Sequence, residues 1–425
     1  MPKHPDTITL EGWRGLDNKR PESRIAPDFL SEATNIDIDS GGGIRLRQGY
    51  TKMISGTSAH SLWSDGDKEA FYVDEGTLYR VDPFDSTKST ALTNGFNDEK
   101  LAYFHLGNNT YISGGDLNVV VQGNNVRNWG ITPPTIAPMH TVITGQLVAG
   151  TYRVAYRYIA SDGRVSGPSA YTTITLSSDN SGIHLFGMGV SSDPTVAGVE
   201  VYVSTSDGET LYSTGSTTET TFDIVDLYGD MVPLDYRFLD VPPACDIIEL
   251  YNGRLYMAVG NYLWYTEPNN YEMCHRAENW IEFPDDITNI MPVDDGIFIT
   301  ADKLYFLEGT GPDVFRLRER EIYKAAKYTA VKIIGGDVIM ENIPTGLKWL
   351  FTSDKGIVMV GTGGLVFNLT ESNVMIDSAE SGAAIFRSDE GMNQYLSILK
   401  SPANQRLHFG DKVTATVIRN GIVIT

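Results

Sequence analysis

The sequence predicts an all-β chain: a β-propeller of about six blades, interrupted once by an inserted β-sandwich. Three observations lead there. Helical periodicity is nearly absent, and short apolar runs alternate with Gly, Asn and Asp along the 425 residues. One strand-turn-strand plan recurs. Between about 139 and 241 that plan gives way to a different one, with Pro133, Pro134 and Pro138 on one side and Pro242 and Pro243 on the other.

The N-terminal arm, taken as 1–52, contains NIDIDSGGGIRLRQGY (35–50). Asn35, Asp37 and Asp39 run into three glycines, as a calcium loop would. A hand-type loop needs Gly at its sixth position and Glu at its twelfth. Counted from Asn35, those positions hold Ser40 and Leu46, so no metal is expected. The same letters make a hairpin: Ile36 and Ile38 on one face, a Gly41–Gly43 turn, then Ile44 and Leu46 alternating with Arg45 and Arg47. Pairing of Asp37 and Asp39 with those arginines is expected to set register more than to add energy.

The propeller is expected over 53–138 and 242–425. LYNGRLYMAVGNYLWYTE (250–267), VDDGIFITADKLYFLEG (293–309) and SDKGIVMVGTGGLVFNLTE (353–371) share one plan, with weaker copies at 68–82 and 108–123. Their strands are apolar on both faces, as in sheets covered on both sides, and stacked blades do this. The C-terminal TATVIRNGIVIT supplies or completes a further blade. Asn94–Gly95, Asn252–Gly253 and Asn420–Gly421 mark tight turns. The best helix candidates are a turn at 28–33 and a few residues at 323–327. The insert alternates with period two and holds about seven strands, which fits an immunoglobulin- or fibronectin-like sandwich. Within it, YRYIASDGRVSGPSA (156–170) resembles a strand-loop-strand of fibronectin type III modules.

Composition narrows the function. With 33 basic and 54 acidic residues the net charge is −21, unsuited to gripping phosphate backbones. Cys245 and Cys274, the only cysteines, form no metal motif and read as two separate buried thiols. The start, MPKHPDTITLEGW, has no apolar core of a secretory signal, and no run is long enough for a membrane span, so a soluble protein is expected.

No catalytic motif of the G-x-S-x-G, H-E-x-x-H or Walker type occurs, and neither an enzyme activity nor a cofactor is expected. GTGGLV (361–366) links two strands and reads as a hairpin turn. The seven histidines, from His4 to His408, lack metal-ligand spacing. Asp285–Asp286 and Asp294–Asp295 read as solvated turn formers rather than paired catalytic acids. One stretch stands out. In FRLREREIYKAAK (315–327), Arg316, Arg318 and Arg320 share a face of an extended strand, with Lys324 and Lys327 beyond. A solvated edge is the plain reading. A docking surface for an acidic partner or another copy of this chain is the sharper one.

The segment GLDNKRPESRIAPDFLSEATNIDIDSGGGIRLRQGY (15–50) resembles the tail nozzle proteins, or tail tubular protein B, of short-tailed bacteriophages. Leu30, Ala33, Asn35, Gly43, Arg45, Arg47 and Gly49 carry the likeness, and the Asn-Gly-Arg-Leu-Tyr…Leu-Trp-Tyr-Thr-Glu-Pro pattern at 252–268 extends it. The resemblance implies a homo-hexameric ring in the virion tail, assembled in the host bacterial cytoplasm. That ring lies below the head-to-tail adaptor, continues the DNA-ejection channel and anchors tail fibres or spikes. A strongly negative wall would let double-stranded DNA slide past without specific binding. The alternative is a propeller lectin or glycan-active enzyme recognising host surface polysaccharide.

Overall fold

The structure, a computed structural model, describes residues 11–39, 41–47, 49, 52, 54–82, 85–227, 232–234, 238–333, 345–389, 392–400, 415–419 and 422–424. Six antiparallel sheets of four strands follow one another along the chain, each a meander in sequence order apart from a two-residue strand beside blade 3. They are blade 1 (60–94), blade 2 (102–128), blade 3 (247–282), blade 4 (289–319), blade 5 (331–368) and blade 6 (381–424). The first strand of each blade is innermost, and radial linkers carry the chain from each outermost strand to the next inner one. This is a six-bladed β-propeller.

Blade-to-blade cores explain why the central strands are apolar on both faces. Gly356–Gly361 is buried at every position, as is Gly296–Thr300. Phe71, Ile112 and Val121 join blades 1 and 2, and Val120, Trp129 and Met257 join blades 2 and 3. Tyr256, Ile290 and Ile299 join blades 3 and 4. Phe298, Phe306, Phe351 and Val358 join blades 4 and 5, while Leu350, Met359 and Tyr395 join blades 5 and 6. Each such side chain contributes about 1.5–3 kcal/mol through its buried apolar area.

The N-terminal arm closes the remaining seam. Ile38 is fully buried against Leu396 of blade 6, with Trp13, Leu30, Ala33 and Ile36 around it. Leu396 points away from the blade 5 face that its neighbour Tyr395 serves, toward the space before blade 1. Ile54 packs on Ala70, Tyr72 and Val81, the face of blade 1 that blade 2 does not cover. The short strand Gly15–Leu16 pairs parallel with Phe29–Leu30, and Asn18 exchanges hydrogen bonds with the Met375 backbone at 3.0 and 2.8 Å.

The hairpin Ile36–Ile38/Ile44–Leu46 forms, with Asp37 opposite Arg45. The expected cross-strand pairing is altered. Asp37 meets Arg47 at 3.3 Å, whereas the Asp39 carboxylate accepts the Gly41 and Gly43 amides at 2.9 and 2.8 Å and so caps the turn. Leu46 is 78% exposed, so the second strand contributes no core despite its alternation.

Other expectations shift. The stretch 28–33 contains the strand Phe29–Leu30 instead of a helical turn, and 323–327 is irregular linker; among the described residues the short 3-10 turns are Glu22–Arg24 and Pro312–Val314. The recurring pair is the second and third strands in blades 1 to 4, but 353–371 covers the third and fourth of blade 5. Two equally buried central strands make that one-strand slip invisible in sequence. Asn252 and Gly253 both adopt positive φ (47° and 77°), as their turn demands. At 94–95 only the glycine does, because that pair begins a radial linker. Blade 1 instead turns on Glu75–Gly76. Asn420–Gly421, Ser40, His4 and His408 lie outside the described residues.

The insert is two packed sheets. Met139–Leu147, Ser181–Phe186 and Phe222–Ile224 form one; Gly150–Ala160 centres the other, flanked by Val165–Pro168, Thr172–Leu176, Val196–Ser204 and Leu211–Thr217. Tyr152, Tyr156, Ile183, Leu185 and Val201 fill the single core between them. Its base is fastened to the propeller. Glu272 of the blade 3 region bridges Arg127 of blade 2 (2.5 Å) and Arg164 of the insert (3.4 Å).

Candidate functional site

The basic run divides among three locations. Arg316–Glu319 is the outermost strand of blade 4, exposed at all four positions and paired only with Leu304–Glu308. Arg318 forms an ion pair with Glu308, and Arg316 stands opposite the same residue. Lys303 is held by Glu319 at 2.7 Å. Val314, Leu317 and Ile322 are 56%, 53% and 65% exposed, so the basic edge is studded with apolar side chains. A strand edge carrying Arg and exposed aliphatics offers both backbone hydrogen bonds and side-chain contacts to a partner.

Arg320 leaves that surface. Its guanidinium lies 5.9 Å from the Phe306 ring and against the blade 5 turn at Gly364, where a Cβ would come within 2.5 Å of it. It wedges blades 4 and 5 together. Lys324 is exposed on the radial linker, its amide held by Asp354 at 3.0 Å.

Lys327 ends at the propeller axis. Its ammonium bonds Asp246, just ahead of the inner strand of blade 3, at 2.7 Å and lies 5.1 Å from the Tyr328 ring. Across the axis, Lys100 of the blade 2 linker stands 4.0 Å over the same ring. The Tyr328 amide bonds Thr288 ahead of blade 4, and the Lys327 carbonyl accepts from Gly382 of blade 6. Burial and the nearby Lys327 charge hold Lys100 down to about 8. Further along the axis, burial pushes Glu249 up to about 8, with Lys332 the opposing influence. Sequence reading missed Lys100, Asp246, Glu249 and Lys332. The available signal was position: each sits on, or just ahead of, the first strand of a blade.

The remaining candidates are structural. Thr362 and the Leu347 amide donate to Asp294 at 2.7 and 3.1 Å, and the Gly363 amide donates to Asp295 at 3.0 Å. This acidic pair forms the turn between the first two strands of blade 4, as expected, and in addition clamps it to the blade 5 turn. Gly363 and Gly364 adopt positive φ in that hairpin, as GTGGLV requires. Cys245 and Cys274 are free and buried, and burial pushes both thiols up to about 12. Among the described residues no three or more His, Cys, Asp or Glu gather closely enough to hold a metal ion. No helix among them is long and apolar enough to cross a membrane.

Fold and site define a β-propeller protein with a basic, partly apolar blade edge and a charged axis. No protein-family model matches the chain, and no curated protein does. Among solved structures it is similar to BBS1N in complex with ARL6DN, at 10% identity and TM-score 0.34, over 85% of this chain and 98% of that one. It is also similar to the N-terminal domain of Nup159, at 8% identity and TM-score 0.31, over 80% and 72%. Saccharomyces cerevisiae Sqt1 matches at 10% identity and TM-score 0.24, over 77% and 86%. Scores this low leave the propeller to rest on its own strand order and blade cores.

Proposed function

We propose that this chain is a non-enzymatic structural subunit of a short-tailed phage tail. It forms the homo-hexameric nozzle ring that continues the DNA-ejection channel below the adaptor and anchors tail fibres or spikes. The observation that carries this reading is the role of the arm. The residues that resemble nozzle proteins, Leu30 and Ala33 among them, build the wedge around Ile38 that completes the propeller. The likeness therefore rests in an element on which the fold depends.

A second observation bears on the channel. In a six-bladed ring, blades 2 and 5 are opposite, yet Lys100 and Tyr328 touch across the axis. A duplex has no path through a single propeller, so the channel of this reading runs between subunits. The exposed Arg316–Glu319 edge, on a chain of net charge −21, suits contact with an acidic face of a neighbouring copy.

Negative-stain microscopy of the purified chain, alone and with adaptor from the same virion, tests the proposal. Six-fold rings are expected. A strictly monomeric protein that retains or cleaves bacterial surface polysaccharide would replace it with the lectin or glycan-enzyme reading.

A further inference from the structure

We propose that the axial chamber of the propeller binds a small elongated polyanion, of the phosphate-chain or polycarboxylate class, through Lys100, Lys327 and Lys332.

The placement of charge carries this inference. Lys100 comes from blade 2, whereas Lys327 and Lys332 come from the linker and inner strand of blade 5. Contacts across the axis show it: Lys100 stands 4.0 Å from the Tyr328 ring that Lys327 approaches at 5.1 Å, and Lys332 acts on Glu249 of blade 3. Non-adjacent blades meet only there. Three ammonium groups thus converge on the axis of a strongly acidic chain. One carboxylate, Asp246, is bonded to one of them, Lys327. Among the described residues no carboxylate forms an ion pair with Lys100 or Lys332, and no hydrogen bond reaches the Glu249 carboxylate.

The groups stand in two tiers. Lys100, Lys327, Asp246 and Tyr328 form the outer one, while Glu249 and Lys332 lie further along their strands. Three residues of extended strand separate Asp246 from Glu249, about 10 Å. A chain of phosphates or a polycarboxylate spans such a distance and supplies acceptors to both tiers. A single monovalent ion does not. Lys100 and Lys332 are both exposed, so their side chains are open to a ligand from solvent. Charge-assisted hydrogen bonds to ammonium groups are the strong kind, and the enclosing blades raise their worth above that in open water.

Among the described residues, the charged and titratable groups that act on one another here are Lys100, Lys327, Lys332, Asp246, Glu249, Tyr328 and Glu99. Going from pH 9 to pH 7, Lys100 gains a proton and Glu249 loses its negative charge. Both changes raise the local positive potential, so binding tightens.

Isothermal titration of the full chain with tripolyphosphate and with citrate, at matched ionic strength, tests this. We expect one equivalent of at least one anion to bind at pH 7, at least threefold more tightly than at pH 9. Lys100→Met and Lys332→Met should each weaken it about tenfold, with Lys324→Met on the same linker as the unchanged control. Which anion wins distinguishes the two ligand classes. Amine acetylation of the wild-type chain, read by mass spectrometry, needs no variant: the anion should protect Lys100 and Lys332 but leave Lys324 reactive. Absence of saturable binding of both anions at pH 7 overturns the proposal. So does labelling of Lys100 and Lys332 that the bound anion leaves unchanged.

Discussion

Glu249 illustrates how much a single residue's behaviour depends on where the fold sets it. On the inner strand of blade 3 its carboxyl is pushed from 4.5 up to about 8 by burial, only partly offset by Lys332. The native state therefore holds a proton between those values that the unfolded chain has released. The stability this confers is complete below pH 4.5 and is lost as pH rises through 8. Lys100 runs the other way: lowered from 10.5 to about 8, it burdens the fold below 8 and is relieved as pH climbs toward 10.5. Stability should accordingly dip near pH 8. Glu249→Gln should flatten the descent, stabilising the protein by about 1–3 kcal/mol at pH 8 and leaving it unchanged at pH 4.5. Urea denaturation across that range measures it, and a mutant profile parallel to wild type would contradict the assignment. None of this was legible in the sequence, where Glu249 is one acid among 54. Arg320 and Lys327 make the same point. They read as part of one basic stripe, yet one became an inter-blade wedge and the other half of an axial ion pair, because the chain turns inward after Glu319.

At the level of elements, the arm has the largest consequence for its size. A propeller made of meanders needs something between its last and first blades, and here the two facing surfaces are covered from the N-terminal side by Ile38 and Ile54. Ile38 is fully buried within a short hairpin that has little other core. Ile38→Ala removes three methyl(ene) groups from that wedge, and a loss of about 2–4 kcal/mol is expected. Leu46→Ala, four-fifths exposed on the partner strand, should change stability by less than about 0.5 kcal/mol. Thermal or denaturant unfolding separates the two, and equal effects would mean the arm does not close the ring. The hairpin itself was readable in NIDIDSGGGIRLRQGY, since period-two alternation and a glycine turn are local properties. Its orientation was not. Which strand faces the core depends on blade 6, more than three hundred residues away in sequence.

For the whole molecule, assembly is where the exposed edge of blade 4 should matter. Arg316→Glu with Arg318→Glu places negative charge on a chain already at −21. If that edge docks on an acidic face, the double variant should stay folded but shift the assembly equilibrium at least tenfold toward monomer, as read by analytical ultracentrifugation. An unchanged distribution would assign the edge to solvent. By itself the sequence determined the all-β class, the propeller and the approximate blade number. Those follow from apolar runs and turn residues, which act over a few residues and recur from blade to blade. Only the tertiary structure decided that the arm is the closing wedge and that Asp294 and Asp295 clamp two blades. It also decided that lysines and acids from blades 2, 3 and 5 meet on one axis. The physical reason is closure. Bending six local meanders into a ring brings together residues whose separation in sequence carries no trace of their distance in space.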